Sequence, residues 1–75
     1  MAVRYHSAEK LTEDDFGYKF TMQAGEVVYD AKTRRGPWAC MTQKSYEIFG
    51  VGKLGTGYGQ KYVRNAERHL VKAEG

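Results

Sequence analysis

Five of the ten residues from Gly50 to Gly59 are glycine, and Gly50-Val51-Gly52-Lys53-Leu54-Gly55 satisfies the pattern G-x-G-x-x-G. That spacing can cradle a pyrophosphate where a strand leads in, a long helix begins inside it, and an acidic residue follows about 20 positions on. The context is missing here. A short helical segment precedes the run, more glycines follow it, and Glu67 and Glu74 have no second strand to stand on. A P-loop is absent as well, because no glycine is followed by Lys-Ser or Lys-Thr. The ligand reading that survives is an anion nest, with amides around Gly55, Gly57 and Gly59 beside Lys53, Tyr58 and Lys61. The structural alternative is simpler: glycine supplies the positive φ angles that reverse a chain.

Two groups of cations could meet an acidic partner. Lys32, Arg34 and Arg35 stand at a turn ahead of Gly36-Pro37-Trp38, a cationic tip with an aromatic behind it. Arginine beside an aromatic suits both a phosphate with a stacked base and a hot spot on a protein. Trp38 itself reads as core, because a small domain can rarely spare its only tryptophan. The second group is Lys61, Arg64, Arg68 and Lys72, which share one face if the segment is helical. Such a stripe could follow a phosphate backbone or an acidic groove; alternatively, basic residues late in a helix only complement its dipole.

Catalytic chemistry finds no foothold. Cys40 sits between Ala39 and Met41 in an apolar segment and reads as core, and His69 falls on an apolar stripe. Ser7 and Ser45 have no base partner, while Asp14-Asp15 read as capping residues. His6, Cys40 and His69 lack ligand spacing, so neither a metal nor a cofactor is implied. The chain reads as non-enzymatic.

The scaffold for these groups has 75 residues, one domain near the lower limit for an unaided core. A lone cysteine excludes an internal disulfide, which leaves ten aromatic residues and oligomerisation, a homodimer included, as stabilisers. The N-terminal residues lack the apolar core of a signal peptide, and no apolar run approaches a membrane span. The expected location is cytoplasmic, with no membrane partner. Residues 1–30 carry three basic and six acidic residues; residues 31–75 carry nine and three. This asymmetry points the second half at an acidic macromolecule.

Residues 1–17 read as a mobile lead-in with a helical turn, from capping residues at Ser7 and Thr12 and a glycine at 17. Residues 18–75 form a single α+β domain. Tyr18, Phe20 and Met22 alternate with polar residues, which predicts a first strand. Residues 26–32 predict a second strand. A third, from Trp38 to Met41, must lie on an edge or begin after Pro37, which cannot sit mid-ladder. The economical arrangement is an antiparallel meander. Thr42 is the N-cap of a two-turn helix, Met41 and Tyr46 have the spacing of a hydrophobic staple, and Gly50 fits C′. Residues 60–74 permit a helix or a hairpin turning at Asn65-Ala66-Glu67; the helix leaves only Val71 misplaced and is the better reading.

Gly36-Pro37-Trp38-Ala39-Cys40-Met41-Thr42, followed by the glycine run to Gln60, resembles short proteins carried by phages and other mobile elements over residues 30–62. The resemblance implies no activity and no site residues. It implies a kind of role, in which small phage proteins bind and redirect host proteins, defence systems among them. The expected function is therefore an inhibitor-type module docking on an acidic protein surface. Nucleic-acid binding through the basic half is the alternative, and nucleotide or anion binding in the glycine loop is the third reading.

Overall fold

Pro37 stands just before a strand, as expected. In the computed structural model, which describes residues 10–75, β1 (Val27–Lys32) and β2 (Trp38–Thr42) form a hairpin with Val28 opposite Thr42 and Lys32 opposite Trp38. The connecting turn closes through Thr33, whose N–H and hydroxyl both donate to the Pro37 carbonyl, at 3.0 and 2.7 Å. Helix α1 (Gln43–Phe49) follows without a linker, because the Thr42 hydroxyl accepts the Ser45 amide at 3.2 Å. Met41 and Tyr46 both join the core at this junction, as a staple requires. Gly50 ends the helix with φ −73°, so it is not a left-handed C′ residue. Glycine is needed there for space: a Cβ would lie 2.5 Å from the Tyr46 ring.

Strands β3 (Gly59–Arg64) and β4 (Leu70–Glu74) complete an antiparallel sheet in the order β2-β1-β3-β4. The protein is a small α+β domain with, among the described residues, one short α-helix. The C-terminal element is the hairpin and not the helix. Its turn runs from Asn65 to Arg68, whose amide donates to the Asn65 carbonyl at 2.9 Å and whose φ is +69°. The hairpin prevails because β1 already pairs with β2 on one side and its other edge needs partners, which Gly59 to Val63 supply. The order is also not a simple meander, since β1 lies between β2 and β3.

Each face of the sheet buries its own cluster. Tyr29, Ala31, Ala39 and Met41 pack beneath Tyr46 and Phe49 of α1. Val28, Tyr62 and Leu70 pack on the opposite face against Phe20 and the partly buried Met22 and Cys40. Phe20 alternates in burial with its neighbours as the sequence requires, yet residues 18–22 are not a strand. Only an isolated bridge joins Glu13 to Lys19, and the amides of Thr21 and Met22 donate to the Glu26 carboxylate at 2.6 and 3.1 Å. A side chain has taken the place of a neighbouring strand.

The lead-in, where described, is tied down. Asp14-Asp15-Phe16-Gly17 is a turn with Gly17 at φ +85°, not a helical turn. The Ser7 capping site lies outside the described residues. Asp14 is buried, and one of its oxygens accepts the Thr42 amide, the Thr42 hydroxyl and the Ser45 hydroxyl, at 2.9, 2.9 and 2.5 Å. The other accepts the amides of Phe16 and Tyr18, both at 2.9 Å. Burial raises the pKa of this carboxyl, but the bonds from Ser45, Thr42 and Phe16 outweigh it and hold the value below the ordinary 3.8.

Candidate functional site

Trp38 is not core. It is 48% exposed at the first position of β2, on the outer edge of the sheet. The apolar content of its segment is genuine, but burial belongs to Ala39 and Met41, which point toward α1. Trp38 instead forms one wall of an open groove of about 500 Å³. Pro37, and Ile48 and Phe49 of α1, line it as well. Phe16 also lines it, stacked on Phe49 with ring centroids 4.1 Å apart and planes 14° from parallel. Ile48 is 44% exposed because the buried side of α1 carries Ser45, Tyr46 and Phe49, which leaves Ile48 off that stripe. Three large apolar side chains thus meet solvent around one depression, a form that marks interaction sites on small soluble proteins.

Arg34 and Arg35 line the same groove. Arg34 is anchored: its amide donates to the Phe49 carbonyl at 2.8 Å and its Nε to the Gly50 carbonyl at 3.1 Å, which fixes the hairpin tip on the C-terminal end of α1. Arg35 is exposed beside it. Lys32 pairs with Trp38 across the hairpin, so the sequence-derived tip of Lys32, Arg34 and Arg35 is one physical site with the tryptophan. Phe16 and Ile48 were not legible as its walls, since neither belongs to a periodic apolar face. Their one signal is position, as large apolar residues next to element ends.

The second cationic group is dispersed. Lys61 shares the α1 face of the sheet with Tyr29, and its Nζ lies 3.7 Å from Glu74. Lys72 pairs with Tyr62 on the opposite face, and Arg68 is in the β3–β4 turn. Arg64 is 1% exposed, with its Nε 3.1 Å from Glu26 and an Nη donating to the Arg68 carbonyl at 2.9 Å. In a strand, successive residues face opposite sides, so the helical stripe cannot form. Arg64 is structural rather than a contact residue.

Gly55, Gly57 and Gly59 all hold positive φ, at +109°, +83° and +146°. The loop turns its amides onto itself: those of Tyr58 and Gly59 donate to the Gly55 carbonyl, both at 3.0 Å, and that of Gly55 to the Gly59 carbonyl at 2.8 Å. Three donors an anion nest would need are consumed, and Lys53 lies over the Tyr58 ring at 5.3 Å. Gly59 also brings β3 against β1, where a Cβ would overlap Ala31 and lie 2.9 Å from the Asp30 carbonyl oxygen. The glycines build the sheet.

The Cys40 thiol is only partly buried, and burial followed by the charges of Asp15, Asp30 and Asp14 pushes its pKa up to about 11. A thiol so placed is a poor nucleophile at neutral pH. His69 is half-buried before β4, its amide donating to the Asn65 side chain at 2.9 Å. Among the described residues no three His, Cys, Asp or Glu gather to hold a metal ion, and no helix is long and apolar enough to cross a membrane. Compared with known proteins, the chain matches no family model, no curated protein and no solved structure.

Proposed function

We propose that the chain is a non-enzymatic binding module that docks on an acidic surface of a partner protein, in the manner of a small phage-type inhibitor acting on a host protein, defence proteins included. The observation that carries this reading is the half-exposed Trp38 set in an apolar groove beside Arg34 and Arg35. Tryptophan and arginine dominate the residues on which protein interfaces depend, and they act best at the centre of a patch whose rim excludes water. Here Phe16, Pro37 and Ile48 supply the apolar surround, while the guanidinium groups select an acidic counterpart and steer its approach. Nucleic-acid binding loses its main support with the dispersal of Lys61, Arg64, Arg68 and Lys72.

The test is a nuclease-treated pull-down from host extract with the wild type, Trp38→Ala and Arg35→Glu as baits. Trp38→Ala is expected to cost less than about 1.5 kcal/mol of stability, against about 3–5 for a buried aromatic. The wild type is expected to retain one protein stoichiometrically and both variants to lose it. Retention of nucleic acid in place of protein, or equal capture by all three baits, would refute the reading.

A further inference from the structure

We infer that the groove takes its partner as an added β-strand: an extended acidic segment with a large apolar side chain, paired to the outer edge of β2 at Trp38. This deepens the docking role proposed above and rests on it.

The backbone carries the argument. The outer edge of β2 is covered at Cys40 and Thr42 by residues 14–15. Cys40 donates its N–H to the Asp15 carboxylate at 2.7 Å and accepts the Asp15 amide at 3.0 Å, while the Thr42 amide donates to Asp14. Asp15 therefore imitates one residue of a neighbouring strand, its carboxylate standing where a carbonyl would be. On the other side, the Thr33 amide donates to Pro37, so Thr33 and Pro37 form a hydrogen-bonded pair of the hairpin. Lys32 and Trp38, one step along, are then a non-hydrogen-bonded pair, like Asp30 and Cys40. The N–H and C=O of Trp38 accordingly point away from β1, in the same direction as those of Cys40.

The imitation strand stops before reaching them. Phe16 leaves the edge to stack on Phe49, and Gly17 turns the chain away at φ +85°. Among the described residues nothing pairs with the Trp38 N–H or C=O, which stay open beside the groove. Strand addition supplies affinity through such main-chain groups and specificity through pockets for alternate side chains. The charges then set the occupant's chemistry and direction. Arg34 and Arg35 favour acidic residues at the hairpin-tip end, and Asp14 and Asp15 disfavour them at the other. Apolar side chains of the added strand that project on the α1 side meet Ile48 and Phe49, and those that project on the other side meet Trp38.

The experiment pans a display library of random linear peptides against the immobilised full chain, with the Trp38→Ala chain for counter-selection. Enriched peptides are expected to carry Asp or Glu toward one end and a large apolar residue next to them. N-methylation at the one residue whose amide donates to the Trp38 carbonyl should weaken binding at least about tenfold, and at its two neighbours should not. Amide exchange at Trp38, read by NMR, should slow at least about tenfold on peptide binding. An unchanged Trp38 exchange rate, or equal sensitivity to N-methylation at every position, would overturn strand addition. If no peptide is enriched while the pull-down still retains a Trp38-dependent protein, docking stands and the strand mode falls. Concentration-dependent self-association lost in Trp38→Ala would make a second copy the occupant, and would likewise overturn the inference.

Discussion

Asp14 is the polar group on which the packing of the lead-in against the helix junction depends, and Asp14→Asn measures how much. The native carboxylate accepts five hydrogen bonds, two on one oxygen from Phe16 and Tyr18 and three on the other from Thr42 and Ser45. An asparagine keeps its shape but turns one oxygen into a donor. The least damaging orientation keeps the acceptor toward Thr42 and Ser45, which leaves the amides of Phe16 and Tyr18 facing an NH₂ group. At about 1–3 kcal/mol for each donor left without an acceptor, and less where water reaches it, the cost is about 2–4 kcal/mol. For a domain of this size that corresponds to a fall in Tm on the order of 10–30 °C. Asp14→Ala would abandon all five bonds, including that of the wholly buried Ser45, and would take most of a stability on the order of 4–11 kcal/mol. The pH dependence has a definite sign. Because the folded pKa lies below the ordinary 3.8, the unfolded chain binds the proton more readily. The contribution is complete above the unfolded value and is lost as pH falls through the folded one. Urea unfolding of wild type and Asp14→Asn from neutral pH down to about pH 2 reads both effects. A loss under about 0.5 kcal/mol at pH 7, or an unaltered acid slope in the variant, would refute the reasoning.

Three further outcomes test other parts of the fold. Gly59→Ala is expected to cost more than about 3 kcal/mol, because its Cβ would overlap Ala31, whereas Gly57→Ala meets open space and should cost only about 1–2 kcal/mol of backbone strain; equal midpoints in urea would contradict this. Arg64→Met should cost about 3–5 kcal/mol by leaving Glu26 buried without its cation, and a double-mutant cycle with Glu26→Gln should recover part of it; additive losses would refute the coupling. Cys40, with its pKa pushed up to about 11 from 9.0, should react with a soluble disulfide reagent at pH 8 on the order of 100-fold more slowly than the unfolded chain, and equal rates would contradict the assignment.

Where a residue's conformation depends on its neighbours in the chain, the sequence determined it. Thr42 caps α1 because its own hydroxyl reaches the Ser45 amide, and Pro37 stands just before β2 because it has no N–H for a ladder. Gly55, Gly57 and Gly59 needed positive φ, and they have it. The hairpin tip was legible as a cationic site for the same reason: Lys32, Arg34 and Arg35 lie within four residues of one another. Only the tertiary structure decided what depended on partners distant in sequence. Residues 60–74 fitted a helical period better than a strand period, and the unpaired edge of β1 decided against the helix by offering hydrogen bonds to β3. That choice turned Arg64 inward onto Glu26 and scattered the remaining cations over two faces and a turn. Trp38 had the composition of a core residue. Its exposure followed from its place at the sheet's edge, where Ala39 and Met41 rather than Trp38 turn toward α1. Local rules fix φ, ψ and caps. Which face a strand presents to solvent depends on what packs against it, and no short stretch of sequence carries that information.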